Sequence, residues 1–313
     1  MRHVWRFTLA LAIWLPRIAH ADPYLLVLGI AQDGGAPQAG YPNEPGWKNP
    51  HFRRHVTSLA LVDPVSGGRW LFDATPDFPE QLQMLDQAAP PRSRPDLAGI
   101  FLTHAHIGHY AGLMFLGKEV IGAQDVTVWA MPRMQQFLND NGPWQQLVRL
   151  HNIALQPLSA GTPVVLNERL KVIPILVPHR QEYSEVVGFR IEGPKVSVLF
   201  IPDIDSWTQW DEQGTRIEDE IAKVDVAYLD GTFFANGEIP GRDMSGFPHP
   251  FISTSLARFA ALPAKERAKI HFIHLNHSNA ALWPGSEARR KIEAAGCRVA
   301  EEGEHIELGT VAN

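Results

Sequence analysis

Three of the chain's 14 histidines fall within six positions, His104-Ala105-His106-Ile107-Gly108-His109. Two histidines separated by one residue project from one tight turn, and a third follows three positions on. Their imidazole nitrogens can therefore converge on a single cation. The apolar run 98–102 in front of them reads as a buried strand, and residues 110–120 behind them read as a helix. The histidines thus occupy a strand-to-helix turn, the place where α/β sheets keep their chemistry. The plainer alternative is a loop that happens to be rich in histidine.

The elements that must position this cluster alternate along the chain. Strands are predicted over 24–29, 58–63, 69–72, 126–130, 196–201, 226–229 and 270–273, with a β-rich stretch over 153–177. Helices are predicted over 78–87, 134–151, 217–224, 253–262 and 287–295. Asp33-Gly34-Gly35-Ala36-Pro37 reads as a tight turn, and the proline-rich polar segment 38–55 as a surface loop. No repeat or linker interrupts the pattern, which predicts one α/β domain over 22–313.

Ligand-type residues recur where apolar runs stop: Asp73, His104, His179, Asp203, Asp230 and His274. Any one of them alone reads as a cap or turn residue. Folded sheets bring such strand ends to a common edge, so together they predict a site. Asp205, Asp230, Glu182 and His249 are candidates for orienting or acid–base roles around it.

Composition narrows the partners. At 313 residues, 45% hydrophobic and 20% charged, the chain can bury a sizeable core. The formal net charge of -6 argues against a nucleic-acid backbone, which needs a basic surface, and favours a small-molecule substrate. Residues 1–21 have the three parts of a secretory signal peptide: Arg2 and Arg6, a short apolar run over 7–15, and Ala19-His20-Ala21 before Asp22. The apolar run is too short to span a bilayer, so the reading predicts cleavage and an exported, periplasmic protein without a membrane span. Removing Arg2, Arg6 and Arg17 makes the mature chain more acidic still. Cys297 is the single cysteine, which rules out an internal disulfide and leaves metal ligation to histidines and carboxylates.

The cluster resembles the His-x-His-x-Asp-His signature of the metallo-β-lactamase superfamily, with Gly108 where that family has aspartate. The resemblance implies an αββα sandwich with metals at one edge. Carried over by position, it makes Asp73 a structural aspartate, His104, His106, His109 and His179 metal ligands, Asp203 the bridging aspartate and His274 the last ligand. His277 competes with His274 for that role. Gly108 leaves the second metal site one anionic ligand short, unless His277 or Glu182 supplies it. Further words, Gly34-Gly35-Ala36-Pro37-Gln38, Leu229-Asp230-Gly231-Thr232-Phe233 with Glu238, and His249-Pro250, resemble the PqqB group associated with pyrroloquinoline quinone biosynthesis. Two departures separate the chain from that group. Residues 41–49 lack its closely spaced cysteines, and the first two histidines usually replaced in PqqB are kept here. The reading is a PqqB-like paralogue with a different substrate.

Three functions fit. In the first, His104, His106 and His179 with Asp203 hold Zn²⁺, one or two ions, with iron or manganese as alternatives. Metal-bound hydroxide then attacks a small-molecule ester, lactone, lactam or phosphodiester, with Asp203, His249 and Asp230 as catalytic candidates. The second is a PqqB-like iron-dependent oxidative enzyme. The third is a non-catalytic metal-binding protein. The sequence specifies neither substrate nor oligomeric state.

Overall fold

The computed structural model of the protein describes residues 21–309; the proposed signal segment falls almost entirely outside them. Among the described residues, fourteen strands form two seven-stranded sheets. The first contains β1 (Tyr24–Gly29), β2 (Ser58–Asp63), β3 (Gly68–Phe72), β4 (Gly99–Phe101), β5 (Val126–Ala130), β6 (Ile153–Pro157) and, at its far edge beside β1, β14 (His305–Glu307). The second contains β7 (Val164–Val165), β8 (Lys171–Leu176), β9 (Val187–Glu192), β10 (Ser197–Ile201), β11 (Val226–Asp230), β12 (Ile270–Ile273) and β13 (Arg298–Val299), in the reverse order.

Both faces of the first sheet are buried, so its strands read as nearly continuous apolar runs; all six residues of β2 are buried. Successive side chains point to opposite faces. Leu25, Val27, Leu59, Leu61 and Phe72 join the cluster between the sheets, while Leu26, Leu28, Ala60 and Leu71 join a second cluster on the outer face. Phe72 anchors the interface, its ring 5.3 Å from Phe101, 5.5 Å from Phe189 and 6.3 Å from Phe200.

The outer cluster is closed by α1 (Phe78–Ala88), α3 (Pro132–Asp140) and α4 (Trp144–Arg149), through Phe78, Leu85, Met134, Leu138, Trp144 and Leu147. Helices α5 (Trp207–Glu212), α6 (Ile217–Ala222), α7 (Ile252–Phe259) and α8 (Glu287–Ala294) join the other cluster through Trp207, Trp210, Ile217, Ile221, Ile252, Phe259 and Ile292. The result is the αββα sandwich. No helix among the described residues is long and apolar enough to cross a membrane.

Two helix expectations are corrected. The helix expected over 134–151 is broken at Asn141-Gly142-Pro143, where proline lacks a donor and disfavours helix in the residue before it. The helix expected over 110–120 is instead one turn, α2 (Ile107–Tyr110), followed by a 3₁₀ segment, Ala111–Leu116. Gly112 lies there with no room for a side chain: a Cβ would come within 2.1 Å of the Thr75 carbonyl.

Strand direction explains where the ligand-type residues go. Strands β3 to β6 run parallel, and β1 runs the same way because β2 is antiparallel to both β1 and β3. In the second sheet β10 to β13 run parallel, and β8 matches them across the antiparallel β9. The C-terminal ends of β1, β3 and β4 therefore share an edge of one sheet, and those of β8, β10, β11 and β12 share an edge of the other.

Candidate metal centre

At this edge the residues assemble in two groups joined by Asp203. His104, His106 and His179 form the first, with donor atoms within 4.8 Å of one another. His179 Nε2 lies 3.1 Å from His106 Nδ1, and Asp203 Oδ2 lies 3.5 Å from His104 Nε2. Asp33, His109, Asp203 and His274 form the second. Here His109 Nε2 is 2.9 Å from Asp203 Oδ2 and 3.2 Å from Asp33 Oδ1, and His274 Nε2 is 3.4 Å from the same Asp203 oxygen.

The ring orientations are set from behind. Asp73 accepts from the Thr103 amide and hydroxyl and, at 2.7 Å, from His109 Nδ1. Because the Thr103 hydroxyl donates to Asp73, its oxygen accepts from His104 Nδ1 at 2.9 Å. Both rings then turn an Nε2 lone pair inward. Glu182 lies 3.1 Å from His106 Nε2, which turns Nδ1 of that ring inward instead. Asp205 sits 2.7 Å from His179 Nδ1, an ion-pair distance without aligned hydrogen-bond geometry.

A third group, Asp203, Asp230 and His249, also lies within 4.8 Å. Asp230 is already saturated: Oδ1 accepts from the Thr232 amide and hydroxyl, and Oδ2 accepts from the Ile204 amide and His249 Nδ1. This group therefore holds His249 rather than a cation. His249 Nε2 faces the half-exposed Arg180 guanidinium at 3.4 Å.

Donor chemistry fits a divalent cation in each of the first two groups. His104 Nε2, His109 Nε2, His274 Nε2 and Asp33 Oδ1 are buried without a hydrogen-bond partner. Orphaned buried polar atoms are costly, and one cation per group would satisfy them together. The electrostatics agree. Burial and the charge at His109 hold His104 well below the usual imidazole range, in its neutral ligating form. Burial also opposes a charge on His109, but Asp73, Asp203 and Asp33 push its imidazole well above the usual value. Burial would raise Asp203, yet His274, His179 and His109 hold it well below the carboxylate range. The second group thus calls for positive charge, which a bound cation would supply.

Two expectations need correction. His277 does not reach either group; its Nδ1 lies 2.5 Å from Glu44 Oε1 in the loop before β2, and its ring packs on Tyr41. Glu182 is spent on His106, so neither residue replaces the carboxylate missing at Gly108. Asp33, which the sequence reading placed in a turn, stands there instead. Arg180 was also missed, since a basic residue at a strand end carries no ligand signal.

Residues 68–283 match the family described as beta-lactamase superfamily domain. The chain belongs to that superfamily. Within it the chain is PqqB-like: it is 28% identical to coenzyme PQQ synthesis protein B of Pseudomonas aeruginosa (strain LESB58), over 91% of this chain and 100% of that one. The Xanthomonas axonopodis pv. citri (strain 306) protein of the same name is 25% identical over 91% and 99%. Among solved structures, Zn²⁺-bound PqqB from Methylobacterium extorquens aligns with a TM-score of 0.73 at 23% identity, over 91% of this chain and 100% of that one. A diphosphatase of the PhnP family aligns at 0.63 and 21% identity, over 91% and 97%. At these identities the two structures bear on the fold.

Proposed function

We propose that this superfamily member is a metal-dependent hydrolase of small-molecule esters, lactones, lactams or phosphodiesters. The observation that carries the reading is the pair of donor groups on either side of Asp203, with His104 Nε2, His109 Nε2 and His274 Nε2 buried and unpartnered. His104 Nε2, His106 Nδ1 and His179 Nε2 would hold one zinc, and His109 Nε2 and His274 Nε2 a second, with Asp203 between them. A bound divalent metal supplies Lewis acidity and, from water, a nucleophile at neutral pH. The chain's own residues do the rest. Thr103 and Asp73 fix the ring tautomers, and the Arg180 guanidinium beside His249 offers a fixed positive charge to an anionic part of the substrate.

The test is elemental analysis of purified protein together with turnover of an ester, lactone and phosphodiester panel. Wild type should carry transition metal and turn over at least one class. His106→Ala, lacking one of three imidazoles of the first group, should lose most of that group's metal and the turnover with it. Full metal content in His106→Ala would remove it from the ligand set. A PqqB-like oxidative role is the second reading, favoured by the 25–28% identity to coenzyme PQQ synthesis proteins over 91% of the chain. Bound iron with oxygen uptake would select it over hydrolysis.

A further inference from the structure

Gly108 and Asp33 compete for one volume. A Cβ on Gly108 would lie 2.2 Å from Asp33 Oδ1 and 2.6 Å from Asp33 Cα, so no side chain fits at 108 while Asp33 is in place. Asp33 is not there by loose chance. It leads a turn closed by the Gly35 amide on the Gln32 carbonyl, with Gly35 at φ 66°, a conformation glycine adopts without strain. The turn is pinned to the strand end that carries His274: the Gln32 amide donates to the Leu275 carbonyl and the Leu275 amide to the Ile30 carbonyl, while Asn276 Nδ2 bonds Gln32 Oε1. Ala31 bridges Val56 on one side and Leu275 on the other, so the stretch that leads into Asp33 stitches the two sheets together.

We propose that the anionic ligand missing at position 108 has been relocated to Asp33, which completes the second metal site from the loop after β1. Asp33 Oδ1 is buried and without a hydrogen-bond partner, 3.2 Å from His109 Nε2 and 3.6 Å from His274 Nε2. The relocation keeps the number of carboxylates at the centre and changes only the loop that supplies one. It also couples the second site to the sheet-to-sheet stitch, because the residues that hold Asp33 are the residues that join the two edges. The proposal rests on the metal-binding reading above and deepens it.

A reciprocal swap tests it. Purified wild type, Asp33→Asn, Asp33→Gly, Gly108→Asp and the Asp33→Gly/Gly108→Asp double variant are loaded with Zn²⁺, desalted and analysed for zinc, with melting temperatures measured with and without the metal. Wild type should hold about two zinc ions per chain, as in two-metal sites generally. Asp33→Asn, which keeps the shape and removes the charge, and Asp33→Gly should each hold about half of that. Gly108→Asp alone should melt lower, since it forces two side chains into one space. The double variant should regain the wild-type stoichiometry and the wild-type zinc-induced rise in melting temperature. Full zinc in both Asp33 variants would overturn the proposal while leaving the metal reading intact, as would a folded double variant no better loaded than Asp33→Gly. A wild type that holds no zinc, iron or manganese would overturn the metal reading itself.

Discussion

Exchanging one atom of Asp73 separates the cost of folding from the cost of metal binding. Its carboxylate serves three donors: Oδ1 accepts from the Thr103 amide at 2.8 Å, and Oδ2 accepts from the Thr103 hydroxyl at 2.9 Å and from His109 Nδ1 at 2.7 Å. In Asp73→Asn, either amide orientation sets an NH₂ group against a donor. Facing the Thr103 amide it can only repel. Facing His109 it forces the ring to give up its Nδ1 proton and carry one on Nε2, the nitrogen 2.9 Å from Asp203 that the second metal needs. The backbone is not at issue, because asparagine tolerates the φ of 66° found at Asp73 as well as aspartate does.

Losing one charge-assisted hydrogen bond costs about 1.5–3 kcal/mol of stability. Disturbing the group that orients a metal-bound histidine weakens affinity by about 10–100-fold, or about 1.4–2.8 kcal/mol. Asp73→Ala leaves the Thr103 amide and His109 without acceptors and should cost about 3–5 kcal/mol. Urea denaturation of the metal-free proteins reads the first quantity, and chelator competition for zinc reads the second. The expected outcome is a folded Asp73→Asn with one weakened zinc site and the other near wild type. If Asp73→Asn loses stability yet binds zinc at both sites as tightly as wild type, the tautomer argument is wrong.

Two further outcomes concern the frame. Phe189 is fully buried with its ring 5.5 Å from Phe72 and 5.7 Å from Phe101, so Phe189→Ala should lower stability by about 3–5 kcal/mol in urea denaturation; a loss below about 1 kcal/mol would mean the sheets are not packed together there. Glu302 accepts from the His55 amide and lies 3.3 Å from His55 Nδ1, and this partner raises His55 above its ordinary value against the opposing effect of burial. A raised histidine stabilises fully below the unfolded value of about 6.5 and loses that contribution as pH rises through the folded value. The gap in melting temperature between wild type and Glu302→Gln should therefore narrow from about pH 6 to about pH 9, and a gap constant with pH would show that His55 does not titrate against Glu302.

Sequence made the strands of the sandwich legible because burial on both faces writes them as apolar runs; β1, β2, β5 and β12 have the bounds their runs predict. It exposed the first histidine group for a different reason, since two of its three members lie in one turn. What it hid depends on distance along the chain. Asp33 lies 76 residues before His109 in a Gly-rich segment, and an aspartate in such a segment is fully accounted for as a turn former. Its role emerges only when strand direction puts the end of β1 on the edge shared with β3 and β4. The choice between His274 and His277 was open for the same reason. Both follow β12, but only the one at the strand end, held at φ 63°, turns toward Asp203.

The two sheets answer the problem of ring orientation with the same device. After β3 and β4, Asp73 takes the amide and hydroxyl of Thr103, and His104 and His109 turn their Nδ1 atoms to this pair. At β11, Asp230 takes the amide and hydroxyl of Thr232, whose oxygen meets His274 Nδ1 at 3.0 Å, while His249 Nδ1 meets the carboxylate at 2.8 Å. In each relay the hydroxyl proton is committed to the carboxylate, so the threonine oxygen can only accept, and the neighbouring imidazole must carry its proton on Nδ1. Three of these four rings end with Nε2 of His104, His109 and His274 aimed at the centre and unpartnered. The fourth, His249, ends instead at Arg180. That difference separates the three rings with a nitrogen free to hold metal from the one whose second nitrogen is already taken.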